Sequence, residues 1–189
     1  MAVANYHETY GCFPPAYVAD RDGKPMHSWR VLILPFLEQQ ELYNAYNFAE
    51  PWNGPSNRNL VSRVGNIYLR SGLESDQIHT TSFVAVVGPQ TVWLGSTPTT
   101  YQNLGDGSHE TLLVVEVPDG QFLWMEPRDL EFDSMSFRIN DGSGRGLGSR
   151  LTGARVVSAD GTVHTLPDDF DPNKLRAMLT ANGREKIEE

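Results

Sequence analysis

Cysteine is almost missing from the chain: Cys12 is the single one in 189 residues, so no disulfide can form within it. Basic residues are also scarce, 15 against 24 acidic ones, and the net charge of −9 excludes a protein that lives on sequence-independent phosphate contacts. Nucleic acid is therefore not an expected partner. Nowhere do about eighteen consecutive apolar residues occur, so residues 1–189 contain no stretch with the composition of a membrane span. The opening MAVANYHETY lacks the basic and apolar regions of a signal peptide. Catalytic and metal signatures are missing too. His7, His27, His79, His109 and His164 are scattered without the HExxH or paired spacing of a zinc site. There is no GxSxG nucleophile turn, no CxxC pair and no DxDxDG calcium loop. The expectation is a non-enzymatic protein with neither metal nor cofactor.

What remains is a composition that folds. The chain is 39% hydrophobic and 21% charged, and at this length it can bury roughly 70% of its unfolded surface in one domain, residues 1–189. Seventeen glycines and twelve prolines call for many turns, which favours mixed α and β structure over a helical bundle. Met1, Val3, Ala4 and Tyr6 have the spacing of a helix end and Gly11 stands where a C-terminal cap belongs, so residues 1–10 read as the end of a longer helix. Asp22-Gly23 marks a turn. Trp29 to Leu34 fits either a strand or the start of a buried helix. Pro35 opens a helix whose Phe36, Leu37, Leu42, Tyr43 and Tyr46 share a side, and Ser56 or Asn57 caps a short helix through Val64.

Thr81–Gly88 is β-branched enough for a central strand, and Thr111–Val117 is the strongest strand signal, expected to pair with it. On these two strands, strict alternation puts Leu112, Val114 and Phe83 on one face and Leu113, Val115 and Val84 on the other. Residues 89–110, rich in Gly, Thr, Ser and Pro, are expected to form a long surface loop. VVSADGTVHTL has the pattern of a hairpin in which Asp160 and Gly161 supply the positive φ angles. Asp171 and Pro172 then cap and open a final helix carrying Leu175, Met178 and Leu179, ending near Gly183.

The best candidates for external contacts are aromatic. Trp93, in the Gly/Thr/Pro loop, and Trp52, beside Pro51, are expected at the surface, whereas Trp29 and Trp124 belong to the core. Asp106 and His109, in GDGSHE, join them as possible ligand or partner contacts, and acidic turns offer oxygen ligands of the kind calcium takes. Asp160 and Gly161 are turn formers. Cys12 reads as a small buried apolar residue.

Taken together, NYHETYGCFPPAY, HSWRVLILPFLEQQELYNAYNFAEPWNGPSNR, TSFVAVVGPQTVW, DGSHETLLVVEVP, SADGTVHTL and DPNKLRAMLTANG resemble a family of pilin-like proteins of planctomycete bacteria. The resemblance covers nearly the whole chain. It implies a prepilin-type cleavage and methylation segment, a long hydrophobic helix and a C-terminal domain of unknown function with an H-x9-DG motif. The fold it implies is a pilin-like α+β: an N-terminal helix packed on an antiparallel sheet built from the Thr81, Thr111, Arg155 and Thr162 strands, with additional short helices and long loops. It also implies a pseudopilin-like structural or assembly component of a type II secretion or pilus-like system. Such a protein sits in the cell envelope facing outward or into the periplasm, anchored by a helix upstream of Met1, with other pilin-like subunits or secretion-system components as partners. Two positions depart from the family pattern. Asp160-Gly161 matches the motif's DG, but Arg150 stands where its histidine belongs, and Leu69-Arg70-Ser71-Gly72 replaces a Cys-Pro-Ser-Asp segment. The alternative reading is a secreted ligand-binding module for a carbohydrate or calcium, resting on Trp93, Trp52 and the acidic turns.

Overall fold

The first helix, α1, runs over Ala2–Tyr10 in the computed structural model of the chain, and the amide of Gly11, at φ +76°, closes it onto the His7 carbonyl at 2.8 Å. The structure describes residues 2–69, 79–118 and 122–183. Ala2 and Val3, in the first turn, are buried, while Tyr6 and Tyr10 lie against Phe36 at ring separations of 6.0 and 6.4 Å. A short hairpin follows, β1 (Tyr17–Ala19) against β2 (Pro25–Ser28). Its turn is held by Asp20, whose Oδ1 accepts from the Asp22 and Lys24 amides.

The Trp29 run resolves as helix: α2 (Trp29–Leu32) is capped by Ser28, whose Oγ accepts from the Arg30 amide. The single helix expected after Pro35 is two pieces. A 3₁₀ turn over Leu34–Leu37 ends at Glu38, which takes the left-handed conformation at φ 59°, and α3 starts afresh at Gln40–Ala45. The break lets the Gln39 amide reach back to the Leu34 carbonyl at 3.0 Å and swings Leu42 into the core. A further 3₁₀ helix, Asn57–Arg63, begins without a side-chain cap from Ser56. The buried Asn57 instead tethers the preceding loop, accepting from the Asn47 amide and donating to the Asn47 and Pro51 carbonyls.

The expected central strand Thr81–Gly88 is cut into three dipeptides, β3 (Thr80–Thr81), β4 (Phe83–Val84) and β5 (Val86–Val87), each belonging to a different sheet. The cuts fall where backbone groups bond outside the ladder: the Ser82 amide donates to the Tyr68 carbonyl and the Ala85 amide to Asp129 Oδ1. The strongest strand is as expected, β6 (Leu112–Glu116), antiparallel to β4 with Phe83 opposite Glu116. β7 (Phe122–Leu123) pairs with β3, and β8 (Leu130–Glu131) runs parallel to β5. The Asp160-Gly161 hairpin joins β9 (Ala154–Ser158) to β10 (Val163–Leu166), completing a four-stranded antiparallel sheet in the order β10-β9-β6-β4. α4 (Pro172–Leu179) is capped by Asp171, which accepts from the Asn173 amide at 2.7 Å, and it ends at Thr180, before Gly183.

Strict alternation fails on β6. Leu112 faces Ser158 and Val114 faces Val157, so Leu113 is an extra residue, a β-bulge. The bulge sends Leu113 and Val114 to one side and Leu112 and Val115 to the other, in place of the expected alternate pairs. Each side has its own core. One gathers Trp29, Trp93, Trp124, Leu113 and the first turn of α1; the other gathers Leu112, Val115, Phe132, Leu147, Leu175 and Leu179. The molecule is thus mixed helix and sheet, α+β in class, with its main sheet covered on both faces.

The first core encloses a buried polar knot. Arg30 and Asp129 are fully enclosed and paired at 2.5 Å, and the same carboxylate oxygen accepts from Trp29 Nε1 and the Ala85 amide. Arg30 Nε also donates to the Phe83 carbonyl, and Tyr68 donates its hydroxyl to the Arg30 carbonyl at 2.6 Å. Burial pushes the Asp129 carboxyl up, and the Arg30 guanidinium and the amide donor oppose that push.

Candidate functional site

An apolar concavity begins at the N-terminal end of α1. Ala2, Val3 and Ala4 form one wall, Trp29, Ile33 and Leu37 another, and the β6 and β9 residues Val114 and Val157 line it from the main sheet. Its volume is about 250 Å³. Ser158 also lines it; this residue is fully buried, and its Oγ has no hydrogen-bond partner. Ile67 stands at the edge of this groove, 37% exposed.

The hairpin tip closes one rim. Ala159 and Gly161 line the groove, and between them Asp160 turns outward to His109, with Nδ1 3.0 Å from Oδ2. Two backbone bonds hold this meeting in place, from the Ala159 amide to the Thr111 carbonyl and from the Asp160 amide to the Ser108 carbonyl. The Thr162 amide and then His109 draw the Asp160 carboxyl down to about 2, and the same hydrogen bond lifts the His109 imidazole. His164 lies near, its ring 5.8 Å from that of His109. Among the described residues no group of three or more His, Cys, Asp or Glu side chains is arranged to hold a metal ion.

The structure therefore joins only some of the candidates read from sequence. His109 and Asp160 meet, and Gly161 takes the expected positive φ of 88°. Asp106 is engaged elsewhere, its Oδ2 accepting from the Gly183 amide beyond α4. Trp52 is half-buried against the first core. Trp93 is a correction: only 2% exposed, it donates its indole N–H to the Leu113 carbonyl at 2.7 Å and cannot meet a ligand at the surface. The bulge explains it, because an extra residue leaves a carbonyl outside the ladder and the indole takes it. The loop that carries Trp93 is likewise tied down, with Thr99 donating to the Val92 carbonyl and accepting, through its own carbonyl, from Phe13. Cys12 is half-buried. Arg150, in the place of the family histidine, is exposed, and of the Leu69-Arg70-Ser71-Gly72 segment all but Leu69 lies outside the described residues. Sequence reasoning missed the groove altogether. Its signal, small apolar residues opening α1, becomes meaningful only when the sheet beneath is known.

Residues 1–68 match the model of a family described as a protein of unknown function, DUF1559. That stretch runs from α1 to the buried Tyr68 and supplies Ala2, Val3, Ala4, Trp29, Ile33 and Leu37 to the groove. Neither the curated proteins nor the solved structures give a match to the chain.

Proposed function

We propose that the protein is a member of the DUF1559 family that works without catalysis, as a pilin-like component of a secretion or pilus-like assembly in the cell envelope. The observation that carries this reading is the family match over residues 1–68, the segment that holds α1, whose Ala2 and Val3 are buried beside an apolar groove. A helix of nine residues is marginal in isolation, so its stability comes from packing along its length, with Ala2 and Val3 buried and Tyr6 and Tyr10 against Phe36. Among the described residues no helix is long and apolar enough to cross a membrane. In this proposal the anchor is a hydrophobic helix upstream, and the α+β body faces outward, with other pilin-like subunits or secretion-system components as partners. The alternative, a module binding carbohydrate or calcium, loses its leading contact with the burial of Trp93.

The test is processing and assembly in the native host. The full-length product should be cleaved by a prepilin peptidase and recovered in high-molecular-weight envelope assemblies. Recovery of an uncleaved, monomeric product would refute the proposal.

A further inference from the structure

We propose that the pocket between the 89–103 loop and the end of α4 is a binding site for a neutral sugar, held by the side-chain amides of Gln90, Asn103 and Asn182. The inference goes beyond the assembly reading and does not depend on it. Three stretches of chain meet at this place, and backbone amides fix them: that of Ala181 donates to the Gln90 carbonyl at 2.8 Å, and that of Gly183 to Asp106 Oδ2, also at 2.8 Å. The volume they enclose is about 390 Å³, within the roughly 300–1,000 Å³ of small-molecule sites. Trp93 has no part in it, being buried in the first core.

The lining selects the ligand. Neither a charged side chain nor an aromatic ring lines the pocket, so a metal ion, a phosphate or a stacked base would find nothing there to offset its desolvation. The floor is made by Thr91, Thr99 and Thr180, all buried, whose hydroxyls donate to the Gly88, Val92 and Ala177 carbonyls. With those protons committed, the hydroxyl oxygens can only accept. The rim is made of carboxamides. Asn103 Oδ1 accepts from the Thr100 amide at 2.7 Å, which orients Nδ2 as a donor. Among the described residues the side chains of Gln90 and Asn182 have no hydrogen-bond partner. Asn182 lies so close over Gly105 that a Cβ there would overlap its carboxamide, and this contact fixes its place. A carboxamide both donates and accepts, and so does a sugar hydroxyl, so the two match without charge. Pro89 and the exposed Leu94 supply an apolar patch for the C–H face of a pyranose ring.

Saturation-transfer NMR on residues 1–189 tests this, with glucose, galactose, mannose and N-acetylglucosamine as probes and glucuronate as the charged control. At least one neutral sugar should receive saturation at millimolar concentration, and glucuronate should receive less, since no cation faces its carboxylate. Asn182→Ala removes one carboxamide, and Asn103→Asp keeps the oxygen that holds Thr100 while removing the N–H donors. Each should weaken binding about fivefold and leave the thermal midpoint within about 2 °C of the wild-type value. Gly105→Ala, which displaces the Asn182 side chain, should weaken it as Asn182→Ala does. Gln40→Ala, which removes an exposed amide outside the pocket, should change nothing. Absence of transfer to all four neutral sugars overturns the inference. So does transfer that survives in both the Asn103 and Asn182 variants, which places the sugar elsewhere, and so does glucuronate binding best of the five.

Discussion

Two charged pairs in this protein show how burial changes what a pair is worth. His109 and Asp160 are 65% and 31% exposed at their side chains, so water and salt screen them and their contribution to stability is small. The pair fixes the outward face of the hairpin tip and little more. Arg30 and Asp129 are enclosed, and the carboxylate has three donors on one oxygen. Removing either partner strands a charge in the core, which costs about 3–5 kcal/mol. Arg30→Met and Asp129→Asn should each lower the unfolding free energy by that order in urea titrations. The double variant should lose less than the two singles together, with a coupling of about 1.5 kcal/mol or more. Strict additivity would mean that the pair does not act as a unit. This ion pair was not legible in the sequence, since nothing about Arg30 or Asp129 announces a partner ninety-nine positions away.

At the scale of elements, what could be read in advance is what the chain decides locally. Gly11 closing α1, Asp20 and Gly23 shaping the β1–β2 turn, Gly161 in the β9–β10 hairpin and Asp171 capping α4 each depend on atoms within a few residues. The breaks depend on distant groups. The Thr81–Gly88 strand divides because Tyr68 and Asp129 claim its amides, and the Leu113 bulge is stabilised by an indole from residue 93. The site followed the same division, with Asp160 and Gly161 legible as a turn and the groove beside them not. Trp93→Phe measures the long-range part. It leaves the Leu113 carbonyl unpaired in the core and should cost about 2 kcal/mol of unfolding free energy in urea. A loss within about 0.5 kcal/mol, as for ordinary surface changes, would show that the indole bond does not hold the bulge.

For the whole molecule the question is whether two cores make one folding unit. β6 is their common wall: Leu113 belongs to one and Leu112, its neighbour in the chain, to the other. The Arg30–Asp129 knot ties the first core to the chain beside the second, since the Asp129 carboxylate holds the amide of Ala85, whose neighbours Val84 and Val86 belong to the second core. A rigid shared strand transmits loss on one side to the other, so neither core should melt alone. The tryptophans make this testable, because Trp29, Trp93 and Trp124 are all buried in the first core and Trp52 packs against it. Fluorescence therefore reports that side, and circular dichroism reports the whole. Leu112→Ala opens a cavity in the second core only and should cost about 2–5 kcal/mol. In a cooperative molecule the fluorescence midpoint in urea moves with the circular dichroism midpoint, though the tryptophans belong to the other core. A fluorescence midpoint that stayed at the wild-type value while the circular dichroism transition split would show two independent units, with the bulged strand as a seam between them.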